Sequence, residues 1–313
     1  SFIFGLLVIL PSIIFGNPSK GEVVSGSASI DSDKKVLTIS QTTDKAIIEW
    51  KDFSISDKET TKFIQPSEAS AVLNRDVGKK VSELNGILEA NGNVFLINEN
   101  GILVGPSGII NTNGFMATTL KLSNEQFLNG KELLFAGESE GTLVNEGKIT
   151  PLGKDVFLIA REVENKGEIK ATKGTGGLIG GTDVLLVESG QGYDAVRVAG
   201  EGSVSNEGLV RAMNVEIKAA GGNIYSLAVN HEGIAEATGI SFQDGKVVLD
   251  SEEGTTRVDG TIIAKNEDGK GGTVHVLGDH VELKHNADID VTGENGGGTA
   301  LIGGDYQGKN PLI

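Results

Sequence analysis

From residue 140 onward one phrase recurs in this chain: LVNEGKIT (143–150), EVENKGEIKA (162–171), SVSNEGLVRA (203–212) and AVNHEGIAEA (228–237), with echoes in RVDGTIIA (257–264) and HNADIDVTG (285–293). Its turn glycines, Gly147, Gly167, Gly208, Gly233 and Gly260, are spaced by 20, 41, 25 and 27 residues, and 41 is close to two turns of 20. A unit of twenty-odd residues cannot bury an apolar face alone, so a period of this size points to a solenoid of stacked coils. Within each phrase Asn145, Asn165, Asn206 and Asn230 open a corner, and the glycine completes it where a side chain would clash. Ile149, Ile169, Val210 or Ile262 then starts a strand with its side chain inward. The asparagines are expected to stack as amide ladders.

Between the phrases lie second strands that are β-branched and partly alternating: DVFLIA (155–160), DVLLVES (183–189), NVEIKA (214–219), KVVLDS (246–251) and TVHVLG (273–278). Upstream, EANGNVFLINENGILVGPSGIINTNGFMATT (89–119) has the same grammar. Short apolar runs alternate there with Asn-Gly pairs, whose tolerance of left-handed backbone marks corners. Three short strands and three corners consume about 20 residues, which matches the period. A leucine-rich solenoid would need a helical segment with fixed Leu spacing, and none is present. The expected architecture is all-β, a right-handed single-stranded parallel β-helix of roughly a dozen coils and 50–60 Å. An N-terminal cap must cover the open strand edges, and small elements lie outside the coils. One of these is a short helix over LSNEQFLNG (122–130), where Ser123 and Gln126 have capping-box spacing and Gly130 is a stop.

A thin layered core needs small branched side chains and few rings. Aromatics are 5% of the chain against 38% hydrophobic residues, and there are 45 glycines. The formal net charge of −16 opposes nucleic acid, which requires clustered Lys and Arg. With no cysteine, disulfides and thiolate metal sites are excluded. Phe2 to Phe15 is too short for a membrane span and fits the apolar region of a signal peptide, with Gly16 before a cleavage point. The expected organisation is a partial signal over 1–16, an export domain with the first coils over 17–250, and continuing coils over 251–313.

Other motifs are weaker. GESEG (137–141) has the G-x-S-x-G spacing but lacks the following helix a nucleophile elbow needs, so a polar turn is expected. GQGYDA (190–195) follows a strand and likewise leads into no helix. His231, His275, His280 and His285 are expected to be solvated coil residues. Asp288 with Asp290, and Asp194 with Arg197, are loose pairs that would serve the alternative function, a β-helical polysaccharide lyase or hydrolase. No cofactor is expected.

The N-terminal half resembles the secretion domain of two-partner-secretion exoproteins, the filamentous haemagglutinin family. The likeness runs in order through GEVVSGSASI (21–30), AIIEWKDFSI (46–55), KFIQPSEASAVLNRDVG (62–78), LNGILEANGNVFLINENGILVG (84–105) and NGFMATT (113–119). Gln65, Pro66, Asn74 and Arg75 fall in its third block. The family's Asn-Pro-Asn-Gly motif appears as Asn98, Glu99, Asn100 and Gly101, with Glu in place of a φ-fixing Pro. The resemblance implies export by a signal peptide, then recognition by an outer-membrane β-barrel transporter with periplasmic POTRA-type domains. It implies a secreted or cell-surface location outside a Gram-negative-type envelope. It also implies an adhesin-like role, with a host-cell receptor or glycan as final target. The eight residues from the third block and the Asn-Glu-Asn-Gly corner are the expected recognition residues.

Overall fold

The computed structural model describes residues 16–189, 192–239, 245–266 and 269–303. The apolar segment before Gly16 and the residues after 303 lie outside these. Backbone pairing follows the repeat. Three strands per coil stack in parallel on equivalent strands of the next coil, forming three faces. The sense expected of such parallel crossovers is right-handed.

The first face runs from Val36–Gln41 through Thr60–Ile64, Ile87–Ala90, Ile109–Asn111 and Lys148–Ile149 to Ile234–Ala237, Thr261–Ile263 and Asp288–Asp290. The second runs from Lys45–Trp50 through Ala71–Asp76, Asn93–Ile97, Gly114–Thr118 and Val156–Ala160 to Lys246–Ser251, Thr273–Leu277 and Thr299–Ile302. Two long strands, Glu168–Gly180 and Leu209–Ala219, turn a corner and serve both faces. The third face begins at Ser82–Leu84 and Ile102–Val104 and ends at Thr255–Val258 and His280–Leu283.

The first and second faces each carry ten rungs among the described residues. Nine steps at strand spacing make a rod of about 43 Å. That is shorter than the period implies, because the 41-residue spacing is not two coils. Val163 pairs directly with Val204, so one coil separates them, and the extra chain is an insertion. It contains the antiparallel hairpin Asp183–Ser189 and Gly192–Ala199, so DVLLVES is not a rod strand. A second insertion, between Gly114–Thr118 and Thr142–Asn145, carries the predicted helix and the strand Glu132–Ala136. The helix spans Asn124–Asn129, with the Ser123 hydroxyl accepting from the Gln126 amide. Gly130 stops it in extended rather than left-handed backbone.

Inward rows form the core. Leu88, Ile110, Ile149, Ile169, Val210, Ala235 and Ile262 stack rung on rung, all fully buried. Each Leu, Ile or Val contributes roughly 1.5–3 kcal/mol by burial. At the N-terminal end, Glu22–Ser25 pairs antiparallel with Lys45–Trp50, and Ala28–Asp33 with Val36–Gln41. Trp50 and Phe53, edge to face at 5.6 Å, fill the core beneath this cap.

The amide ladder forms with one substitution of partner. Asn145 Nδ2 donates to Asn165 Oδ1 (2.8 Å), and Asn165 Nδ2 to Asn206 Oδ1 (2.7 Å). The next rung is His231, not Asn230: Nδ1 lies 3.1 Å from Asn206 Nδ2, and Nε2 lies 3.1 Å from the Thr261 carbonyl. Nδ1 is therefore the acceptor and Nε2–H the donor. His231 is fully buried, contrary to the expectation of solvated histidines, and Asn230 pairs level with Ser205 instead. The row continues as Val104 below Asn145 and Val258 above His231.

Burial holds the His231 imidazolium below its ordinary pKa, offset in part by the Thr261 carbonyl. A depressed pKa in the folded state gives stability that is full above about pH 6.5 and lost as pH falls below it. His231→Asn continues the ladder without a titrating group. Its Tm should therefore fall less than the parent's between pH 7 and 5; an identical fall in both would exclude His231 as a source of acid lability.

Candidate functional site

The corner at 98–101 is built around Asn98, which is fully buried. Its Nδ2 donates to the Lys80 carbonyl (2.8 Å) and Ser82 Oγ (2.9 Å), and lies 3.4 Å from Asp76 Oδ2. Its Oδ1 accepts from both nitrogens of Asn100, each at 2.9 Å. Gly101 closes the turn at φ +118°, a conformation that strains any residue with a Cβ. Among the upstream Asn-Gly pairs, Gly101 is the glycine with left-handed backbone. At the others crowding is the reason: a Cβ on Gly86 would sit 2.3 Å from the Ser56 carbonyl.

Glu99 and Asn100 project to solvent from this frame. Glu99 pairs with Lys121 (3.3 Å), and its carbonyl accepts from Ser139 Oγ (2.7 Å). Ser139 also accepts from the Gly141 amide at 3.0 Å, so GESEG is a polar turn pinning the corner from the next coil. In place of proline's fixed φ, Glu99 is held by these two contacts.

The other expected recognition residues separate. Gln65 and Pro66 lie at the opposite edge of the second face, before Ala71–Asp76. Gln65 is buried, donating to Gln41 Oε1 (3.2 Å) and accepting from the Gly92 amide (3.0 Å), while Pro66 is exposed. Asn74 is buried, accepting from Trp50 Nε1 (2.9 Å) and donating to the Phe95 carbonyl (3.2 Å). Arg75 points outward and donates to the Leu122 carbonyl and Asn124 Oδ1, both at 3.0 Å, clamping the start of the helix. The eight residues thus comprise two corners, an internal strut and a helix clamp.

Sequence reasoning missed the hub. Asp76 Oδ2 accepts from the Phe53 amide (2.8 Å) and Ser82 Oγ (3.0 Å), and Oδ1 from the Gly78 amide (2.8 Å). This nearly buried carboxylate ties the Asn98 corner to two other stretches of chain. The signal was available: in AVLNRD, Val72, Asn74 and Asp76 share the inward phase. A charge in that phase must be paired.

The remaining candidates do not converge. Arg197 pairs with Asp183 (2.7 Å) rather than Asp194. Asp290 accepts from the Thr292 amide within its own turn. His275 lies on the second face and His280 on the third. No group of three or more His, Asp or Glu side chains among the described residues could hold a metal ion. Residues 190–191 of GQGYDA lie outside the described residues; the rest begins the strand Gly192–Ala199.

The family model described as TPS (two-partner secretion) secretion domain matches residues 15–264. A heme/hemopexin-binding protein of Haemophilus influenzae strain Rd is 34% identical over 255 residues, covering 75% of this chain and 27% of the relative. A second H. influenzae protein of that name is 32% identical over 329 residues, 95% of this chain and 34% of its own length. The chain therefore spans about a third or less of these curated relatives. Among solved structures, the HMW1 secretion domain from H. influenzae superposes with a TM-score of 0.86 at 34% identity, covering 94% of this chain and 79% of that one. The filamentous hemagglutinin secretion domain superposes with a TM-score of 0.53 at 16% identity, covering 90% and 99%, and supports the fold alone.

Proposed function

This chain belongs to the family of TPS secretion domains, and from that premise we propose that its exposed Glu99–Asn100 corner is what an outer-membrane transporter reads during export. The family identifies the chain as part of a secreted exoprotein that leaves through such a transporter. The observation that favours the corner is its construction. Two polar side chains are exposed on a turn whose frame is fixed by the buried Asn98 amide and by Ser139 at the Glu99 carbonyl. Such preorganisation lowers the ordering cost of recognition. In this reading Asn98, Gln65 and Asn74 hold the coils, Arg75 holds the helix, and Pro66 marks a second exposed corner. The transporter's periplasmic POTRA-type domains are the proposed contact. Residues 17–250 are the proposed export module, with 251–313 continuing the rod.

Asn100→Ala tests this. The variant gives up hydrogen bonds at an exposed site, so stability should fall by only about 1 kcal/mol. Transporter-dependent appearance in the medium should drop at least about tenfold, the loss expected from some 1.4 kcal/mol of recognition energy. Normal export of a folded Asn100→Ala chain would refute the corner as the recognition element. Loss of folding and export together would assign it a structural role instead.

For the exoprotein that carries this domain, adhesion to a host glycan or receptor is one proposed activity. The names of the curated relatives favour another, binding of heme or hemopexin. Hemin titration of the exported protein, read at the Soret band, separates them.

A further inference from the structure

The two insertions are each other's partners. Glu132–Ala136 of the first pairs antiparallel with Asp183–Ser189 of the second, Leu134 opposite Leu185, although nearly fifty residues and two coils separate them in sequence. Together with Gly192–Ala199 they form a three-stranded sheet over the second face. Beneath it lies a second apolar core outside the rod. There the outward side chains Leu73, Phe95 and Phe157 meet Phe127, Phe135 and Leu186.

Four rivets fix this sheet and helix, and in each a rod side chain satisfies the backbone of an insertion. Lys45 Nζ donates to the Phe127 (2.6 Å) and Leu128 (3.0 Å) carbonyls, while Arg75 donates to the Leu122 carbonyl. Asp155 accepts from the Thr175 amide of the rod (2.8 Å) and the Tyr193 amide of the hairpin (2.9 Å). Glu216 accepts from the Ala195 amide (3.0 Å) and Lys218 donates to its carbonyl (2.7 Å), so this ion pair stands in for a further strand along the free sheet edge. The fit is not flush: a cleft of about 330 Å³, lined in part by Phe95, Met116, Leu133 and Tyr193, remains among the described residues.

We propose that the insertions form one clasp, and that its closure couples the coils from residue 45 to residue 180 into a single unfolding unit. In an unadorned solenoid each coil touches only its neighbours, and opening is additive and local. The clasp breaks that rule, because strands on six successive rungs of the second face share one outer cover. Coils beyond residue 245 lack this cover and open independently.

Native-state hydrogen exchange on the full chain, followed by mass spectrometry, tests this with two variants. Leu186→Asp puts a charge at a fully buried clasp position. Exchange should accelerate together, at least about tenfold, across Ala71–Asp76, Asn93–Ile97, Gly114–Thr118 and Val156–Ala160, while Thr255–Val258 and Thr273–Leu277 stay within about twofold of the parent. Leu134→Cys with Leu185→Cys, in a chain otherwise free of cysteine, staples the clasp across paired strands. The oxidised form should slow the same four strands by about tenfold and leave the later two unchanged. Acceleration confined to 122–137 and 181–202 would overturn the proposal, as would a staple that slows every coil equally or no rod strand at all. Should Leu186→Asp fail to fold, the staple decides alone.

Discussion

Asn165→Leu is expected to cost about 3–5 kcal/mol, more than any surface change in the molecule. The replacement keeps nearly the same volume, so the loss is not a cavity effect. It orphans Asn145 Nδ2, which donates to Asn165 Oδ1, and Asn206 Oδ1, which accepts from Asn165 Nδ2. Both neighbours are fully buried, and each unsatisfied group costs about 1–3 kcal/mol. The free energy of opening at Glu162–Asn165, from urea-dependent hydrogen exchange, measures it. A cost below about 1 kcal/mol would mean that water enters the row and satisfies the orphans.

Gly208→Ala is the second large effect, by a different route. A Cβ at Gly208 would sit 2.2 Å from the Gly167 carbonyl, Gly167 repeats this toward Gly147, and Gly233 toward Gly208 at 2.1 Å. The stack cannot relax, because strands on both sides hold the coils at strand spacing. Overpacking of backbone on backbone should cost about 2–4 kcal/mol, at or above the usual range for inserted methyls. Gly137 is the control: its nearest neighbour is 3.8 Å away, and Ala there should change stability by less than about 0.5 kcal/mol. Equal melting of the two variants would refute close approach as the reason for the glycine phrase.

Coils, corners and inward rows were legible because a repeating phrase states one local geometry many times. Ile149, Ile169, Val210 and Ile262 stand where the phrase puts them. The helix was legible from Ser123, Gln126 and the stop at Gly130, since caps are local hydrogen-bond patterns. Alignment of the phrases on asparagine puts Asn230 in the row where His231 stands. Counting two residues back from each glycine gives Asn145, Asn165, Asn206, His231 and Val258, the row the structure has. The glycine sets the phase, being the residue without freedom to move. The hairpin was hidden because Val184 and Leu186 alternate as rod strands do. Its partner, Glu132–Ala136, is remote in sequence, and no local pattern announces a long-range pair. At the candidate site, the Asn98 corner was legible as a turn, but its support by Asp76 and Ser139 depends on neighbours in adjacent coils.

The amide ladder has a consequence for how such a rod can lengthen. Asn165 and Asn206 each accept from the rung before and donate to the rung after, and Asn145 starts the row, its Oδ1 accepting from the Gly147 amide of its own turn, so the row has a direction. A duplicated coil carrying asparagine could enter between any two rungs and continue that direction with no group unmatched. Valine breaks the row without penalty only at its ends, where Val104 and Val258 stand. Growth by copying is therefore chemically open in the middle of this row and closed at its terminal residues, where His231 hands the last hydrogen bond back to main chain.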